Sequence, residues 1–388
     1  MTTIPLSLYV HLPWCVRKCP YCDFNSYTAG DSAPKERYLK ALVADIAAEA
    51  THANGRELVS VFMGGGTPSL FTPHEITLLL DAVGEHFSLA ADIEITMEAN
   101  PGTVECGDPD GYRRAGVNRL SIGAQSFSQE SLALLGRIHS VDDIARSMQE
   151  ANAAGFDSIN LDLMYGLPRQ GVDEALADIE SALELQPQHL SWYQLTLESN
   201  TVFHVRPPDG LPDEERLADI QDHGQAMLKE RGFDQYEVSA WSRDGQRCRH
   251  NLNYWSFGDY LAVGAGAHGK LTDADGVHRY VKPANPLSYM QAIESQESSP
   301  LPAPLSESEL LFEFMLNALR LSEGFDEALF EERTGLPAER LADAAKAALE
   351  GGLIDRPGAA HWRPTALGRR FLNDLQAEFL PDQARLSA

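Results

Sequence analysis

Residues 6–24 read LSLYVHLPWCVRKCPYCDF, an apolar run followed at once by three cysteines. The first seven, LSLYVHL, have the apolar, branched and aromatic character of a strand buried on both faces. Cys15, Cys19 and Cys22 follow it with the spacing C-x3-C-x2-C, in a loop that Pro20 keeps out of a helix. Soft thiolates favour iron–sulfur clusters, Zn or Cu(I), and three at this spacing can wrap one face of a cuboidal cluster. Cubane clusters usually take four cysteines, and a structural zinc also wants four ligands. Neither Cys106 nor Cys248 sits at a motif spacing, so one iron is expected to lack a protein ligand and to be open for chemistry. Arg17 and Lys18 are expected to favour the thiolates. The competing reading is three cysteines packed as small hydrophobes, but such residues do not cluster in a proline-containing loop beside two cations.

Outward from this loop, strand-like and helix-like stretches alternate. LVSVFM (58–63), IEITME (93–98), NRLSIG (118–123), SINLDL (158–163) and HLSWYQL (189–195) read as further strands. The helical stretch 35–50 places Leu39, Leu42, Val43, Ile46 and Ala50 on one face. Six βα units in a row imply an α/β fold whose parallel sheet is curled by right-handed crossovers into a partial (βα)6 barrel over residues 1–200. Residues 201–300 read as a mixed α/β extension with one helix, 216–230, and short strands. After a Ser- and Pro-rich linker at 298–307, residues 301–388 read as helices near 307–321, 325–333 and 338–350, a hairpin and a last helix at 365–380. That order resembles a winged helix, an α+β shape often used on DNA.

Charge argues against that use. The 388 residues carry 31 basic and 57 acidic side chains, a formal net charge of −26, and residues 301–388 have 9 basic against 15 acidic, or −6. Nucleic-acid contacts depend on positive charge, so no nucleic-acid partner is expected. The N-terminus lacks a basic leader region and no apolar run approaches the roughly 18 residues of a membrane span, so a cytoplasmic location is expected. Five cysteines are too few and too uneven for a disulfide scaffold.

A barrel predicts functional residues at the C-terminal ends of its strands. Gly64, Gly65, Gly66 and Thr67 follow the second strand, Glu98 and Asn100 the third, Gln125 the fourth with Arg137 soon after, and Asp162 ends the fifth. Glycines let a backbone approach a ligand, a carboxylate at a barrel mouth can pair with an ammonium, and a guanidinium suits a carboxylate. With the cysteine motif and the aromatic Phe24 after it, the chain resembles the radical S-adenosylmethionine superfamily. The resemblance implies a [4Fe-4S] cluster on Cys15, Cys19 and Cys22, whose fourth iron binds the amino and carboxylate groups of S-adenosylmethionine. Electron transfer to the sulfonium then produces a 5′-deoxyadenosyl radical. It implies further that the glycine run meets the methionine amino group, that Glu98 and Gln125 belong to the same site, and that Arg137 meets the methionine carboxylate. Asp162 would accept from the ribose hydroxyls, and Tyr9 matches a tyrosine that points at the site.

Within the superfamily, NLDLMYGLP, SIGAQSF and the trailing helical domain resemble the oxygen-independent coproporphyrinogen III dehydrogenase group of porphyrin metabolism. The dehydrogenase branch, which performs a radical oxidative decarboxylation, carries a fourth cysteine two positions after the third and a longer N-terminal arm. This chain has Phe24 at that position and eight residues before Tyr9. The heme-chaperone branch carries HNxxYW, present as His250-Asn251-Leu252-Asn253-Tyr254-Trp255. Resemblance to that branch implies heme as cargo, heme-accepting respiratory proteins as recipients, and a reductant such as flavodoxin or ferredoxin. His250 is the expected heme ligand, with Cys248 and His268 as competitors, and decarboxylation of coproporphyrinogen is the alternative function. Peripheral membrane association and a homodimer stay open.

Overall fold

The computed structural model describes residues 4–30, 33–102, 107–295 and 300–381, so Cys106 and the start of the 298–307 linker lie outside it. Its strands are β1 (Leu6–Leu12), β2 (Trp14–Cys15), β3 (Tyr27–Thr28), β4 (Leu58–Gly65), β5 (Leu89–Ala99), β6 (Arg119–Gln125), β7 (Ser158–Tyr165) and β8 (His189–Gln194). They continue as β9 (Asp234–Gln235), β10 (Ala240–Ser242), β11 (Asp259–Val263), β12 (His268–Thr272), β13 (Val277–Val281), β14 (Phe325–Asp326), β15 (Ile354–Asp355) and β16 (His361–Pro364). Every strand read from the sequence in residues 1–200 is present.

One eleven-stranded sheet runs in the order β13-β12-β11-β1-β4-β5-β6-β7-β8-β10-β9. From β11 to β8 each neighbouring pair is parallel, and β12, β13, β10 and β9 close the two sides antiparallel. The sheet is therefore an open barrel. Strands such as β6 are buried at every position, polar ones included, because helices cover the outer face. Those helices start where capping chemistry dictates. Thr72 accepts from Glu75 N at 3.3 Å and donates its own N–H back to the Glu75 carboxylate at 2.7 Å, and Ser140 and Asp143 repeat the arrangement.

The strand sequence reading placed among mixed short elements, β11, lies parallel to β1 and shares its register from Leu6↔Asp259 to Val10↔Val263. Asp259 fastens it. Its carboxylate, fully buried, accepts from Arg56 Nη1 at 2.7 Å, Lys270 Nζ at 3.0 Å and Thr272 N at 3.0 Å. Lys270 is equally buried, and desolvation pulls its ammonium down to about 8 despite Asp259.

The C-terminal region has its own core. Phe314, on the helix Glu307–Ala318, meets the rings of Phe325 and Phe330, each at 5.1 Å, and reaches Phe257 beside β11 at 5.6 Å. A three-stranded sheet, β14-β16-β15, completes it as the wing. The expected helices at 338–350 and 365–380 each break in two, at Ala345 and at Phe371, where φ −112° and ψ 49° leave the helical region.

Removing one partner from a buried ion pair leaves the other charge uncompensated. Asp259→Ala should therefore lower unfolding stability by about 3–5 kcal/mol in urea titration, an effect that a surface change such as Glu36→Ala should not produce.

Candidate functional site

Parallel pairing brings the C-terminal ends of β1, β4, β5, β6, β7 and β8 to one edge, where a cavity of about 620 Å3 opens. Cys15, Cys19 and Cys22 line it with Gly65, Gly66, Thr67, Glu98, Gln125, Arg137 and Asp162. Tyr9, Gly64 and His250 are not on that wall.

The cysteine loop is held by backbone. Lys18 Nζ donates to the carbonyls of Phe24 (3.0 Å) and Ser26 (3.2 Å), so it ties the loop rather than facing the thiols. Burial pushes the Cys22 thiol up, and Lys18 opposes this only weakly. Lys18 thus does less for the Cys22 thiolate than the sequence suggests. At the base of the loop stands His11, the penultimate residue of β1. Its Nε2 bonds the Asn25 carbonyl at 2.9 Å, and a carbonyl only accepts, so Nε2 carries the proton and Nδ1 accepts from the Tyr9 hydroxyl at 3.0 Å.

A Cβ on Gly65, at φ +115°, would lie 2.4 Å from the His11 ring, and one on Gly66 would lie 2.6 Å from the Trp14 carbonyl. The glycine run therefore serves strand-end packing as much as ligand approach. Gly65 N donates to Glu98 Oε2 at 3.0 Å. Thr67, Asn100, Arg137 and Cys19 form a chain across three strand ends: Asn100 Nδ2 donates to Thr67 Oγ1 (3.0 Å), Arg137 Nη2 to Asn100 Oδ1 (2.6 Å), and Arg137 Nη1 to Cys19 Sγ (3.6 Å). Asp162 accepts from Ser121 (3.2 Å) and Asn160 (2.8 Å), and Gln125, at φ 69°, accepts from Tyr193 Oη (2.7 Å). Glu98 sits at about 7, raised by burial and then by Asp162; burial raises Asp162 too. A cation entering here would relieve both.

A model of the radical SAM superfamily matches residues 9–182, and one of the HemN C-terminal domain matches residues 305–371. The heme chaperone HemW of Escherichia coli is 47% identical over 381 residues, 97% of this chain and 99% of that one. The chain belongs to the HemW heme chaperone family. HemW of Mycobacterium tuberculosis H37Rv is 37% identical, covering 91% of this chain and 90% of its own. Coproporphyrinogen III oxidase (HemN) from Escherichia coli, described as a radical SAM enzyme, has the same fold with a TM-score of 0.81 over 97% of this chain and 90% of that one, at 25% identity. The dehydrogenase alternative thus names a structural relative.

Membership of this radical SAM family implies a [4Fe-4S] cluster and S-adenosylmethionine. The residues fit both. Among the described residues no three His, Cys, Asp or Glu side chains converge to hold a single metal ion. A cuboidal cluster asks for something else, one thiolate on each of several irons, and three thiols of one loop facing one cavity supply it. The raised Glu98 carboxyl and the Arg137 guanidinium suit the amino-acid end of S-adenosylmethionine.

The family motif HNLNYW forms the helix Arg249–Trp255, which presents two faces. His250, 1% exposed, points into the sheet, where Nδ1 bonds Ser60 Oγ and Nε2 bonds Tyr254 Oη, both at 2.9 Å. Burial pulls it down to about 3, so it is neutral. Cys248 is fully buried and donates to Glu94 at 3.6 Å, whereas His268 opens β12 at the surface. Asn251 and Trp255, one residue further round, line the cavity with Glu237, Ser239 and Arg320. Sequence reasoning missed Tyr193 and Arg320. Tyr193 lies at a strand end and was legible there; nothing local marks Arg320, which tertiary packing delivers.

Gly65→Ala should destabilise the protein by about 1–3 kcal/mol through the clash with the His11 ring. His11→Ala should recover part of that loss in the double mutant. Gly264→Ala, whose Cβ would meet the His11 backbone oxygen at 2.5 Å, should gain nothing from the same change. Thermal unfolding of the five variants measures the difference.

Proposed function

We propose that this protein binds heme and delivers it to heme-requiring respiratory proteins. The observation that carries the reading is the 47% identity to a heme chaperone across 97% of the chain. We assign Cys15, Cys19 and Cys22 to the cluster, and Tyr9, Gly64, Gly65, Gly66, Thr67, Glu98, Gln125, Arg137 and Asp162 to the S-adenosylmethionine site. Tyr9 acts there through His11 and Gly64 by its closeness to Glu98, rather than from the cavity wall. Cys15, Cys19 and Cys22 would hold the cluster, which when bound would supply electron transfer to the sulfonium. The residues hold and orient: Arg137, fixed by Asn100 and the Gly123 carbonyl at 2.9 Å, presents its guanidinium beside Cys19, and Glu98 takes an ammonium while Gly65 N–H steadies it.

Residues 1–200 form the cluster-bearing unit in this reading, 201–300 the extension with the HNLNYW motif, and 301–388 a closing domain. A reductant such as flavodoxin or ferredoxin supplies the electron. A second copy of the chain and a membrane surface beside respiratory recipients are further partners to test; no helix of the described residues is long and apolar enough to cross a membrane. A cytoplasmic location suits the free thiols of Cys19, Cys22 and Cys248.

His268 is exposed at the start of β12, so iron ligation there would ask for no rearrangement of the core. Ligation by His250 uses one ring nitrogen and requires the bond to Ser60 or the one to Tyr254 to be given up, at about 1–3 kcal/mol for a buried group left unsatisfied. Anaerobic titration of the cluster-loaded protein should give a saturable Soret shift at one heme per chain, without turnover of coproporphyrinogen. Absence of saturation at stoichiometric heme would sink the reading. Loss of the band in His268→Ala places the iron at the surface; loss in His250→Ala means that the helix has turned.

The S-adenosylmethionine assignment has its own check. Glu98 faces Asp162, Tyr9, Tyr193 and the Gly65 amide, and only its carboxylate form pairs with an ammonium. With the group at about 7, affinity should rise severalfold from pH 6 to 7.5 and level off above. Calorimetry on Glu98→Gln should give weak, pH-independent binding.

A further inference from the structure

Away from the cysteine loop the cavity is walled by the HNLNYW helix and the C-terminal region. Trp255 ends that helix, and the Arg320 guanidinium lies 4.2 Å over its ring. Arg320 Nη2 donates to Glu237 Oε2 at 3.0 Å, and Glu237 is itself fixed by accepting from Ser239 N at 3.0 Å. One edge of the guanidinium is thereby held. Its Nε–H and the Trp255 Nε1–H are buried and have no acceptor among the described residues. Asn251, one helical turn before Trp255, places its amide on the same wall.

Buried donors are nearly always satisfied, and each one left open is unfavourable by about 1–3 kcal/mol. Two such donors, from different elements and beside one cavity, ask for an acceptor that a ligand brings. The stacking on Trp255 and the bond to Glu237 fix the plane of the guanidinium before any ligand arrives. A carboxylate is the group that such a fork recognises, and five N–H donors let one arginine serve Glu237 and a second carboxylate together.

We propose that Arg320, Trp255 and Asn251 form a carboxylate clamp that grips a propionate side chain of the heme cargo. The inference rests on the heme-chaperone reading and makes the C-terminal region part of the binding site. It also gives the HNLNYW helix two roles, in which His250 and Tyr254 anchor one face in the core while Asn251 and Trp255 address the cargo from the other. The methionine end of S-adenosylmethionine offers the same chemistry, but Arg137 stands for it beside Cys19.

Heme and heme dimethyl ester, titrated into the cluster-loaded full chain, test the clamp, with S-adenosylmethionine affinity measured in parallel. The wild type should bind heme about tenfold or more tighter than the ester, in line with charge-assisted hydrogen bonds. Arg320→Gln should bring heme to the level of the ester and leave the ester unchanged. Trp255→Phe keeps a ring beneath the guanidinium and removes one donor, so it should narrow the gap severalfold, and it serves if Arg320→Gln does not fold. S-adenosylmethionine affinity should not move in either. A full preference for heme in both variants would overturn the clamp and leave the chaperone reading standing. No saturable heme binding by the wild type would overturn both. Loss of S-adenosylmethionine affinity with the heme preference intact would overturn it in favour of the methionine carboxylate.

Discussion

His11 is the wedge on which the site depends. It stands one residue before the end of β1, at the edge where the cavity opens, and strands on both sides give way to it. Gly65, leaving β4, has no room for a Cβ against the imidazole, and Gly264, after β11, has none against the His11 backbone. The same ring then reaches forward to the Asn25 carbonyl, while the Asn25 side chain donates to the carbonyls of Ala265 (2.9 Å) and Ala284 (2.8 Å). The cysteine loop is therefore tied to the sheet at one end and to the β11–β13 side at the other. Burial keeps His11 neutral, which this tautomer requires, because a charged ring could not accept from Tyr9.

The electrostatics of the cavity follow from where the strands end. Glu98 and Asp162 stand in a low-dielectric mouth, where burial raises both and Asp162 raises Glu98 further, while Arg137 is already committed to Asn100 and Gly123. The arrangement thus holds carboxyl groups raised by burial at one wall and a positioned guanidinium at another. A zwitterionic amino acid satisfies both at once, and a simple anion or cation satisfies only one. That selectivity arises from burial and not from net charge, since the chain as a whole is strongly acidic.

Much of this was legible in the sequence, for physical reasons that also mark the limit. Strands β1, β4, β6 and β7 are buried at most positions, so branched and aromatic apolar residues recur on both of their faces, and their ends fall where polar and glycine residues resume. The cysteine spacing is local and needs no fold to be read. Strand β11 is five residues long and follows a helix, and its place beside β1 depends on a buried Asp259–Lys270–Arg56 network drawn from distant segments. His250 was readable as chemistry but not as geometry, because helical spacing alone leaves open which face meets the core. Arg320 was invisible, since it reaches the cavity only when the Phe314 core has packed against Phe257.

That last dependence bears on how the molecule can work. The bridge between Glu237 and Leu321, the Ser322 N–H on the Tyr236 carbonyl at 3.1 Å and the Arg320–Glu237 pair all seat the C-terminal region beside β10. The helix Arg249–Trp255 lies between this seam and the interior of the sheet, its start bound by the Glu94 carboxylate through the amides of Arg249 (3.0 Å) and His250 (3.1 Å). Any ligand that turns this helix must therefore disturb the Ser60–His250 bond inside the barrel and the Trp255–Arg320 stack at the seam together. A cavity that reaches from the cysteine loop to that stack gives one occupant a physical means of altering the seat of the C-terminal region.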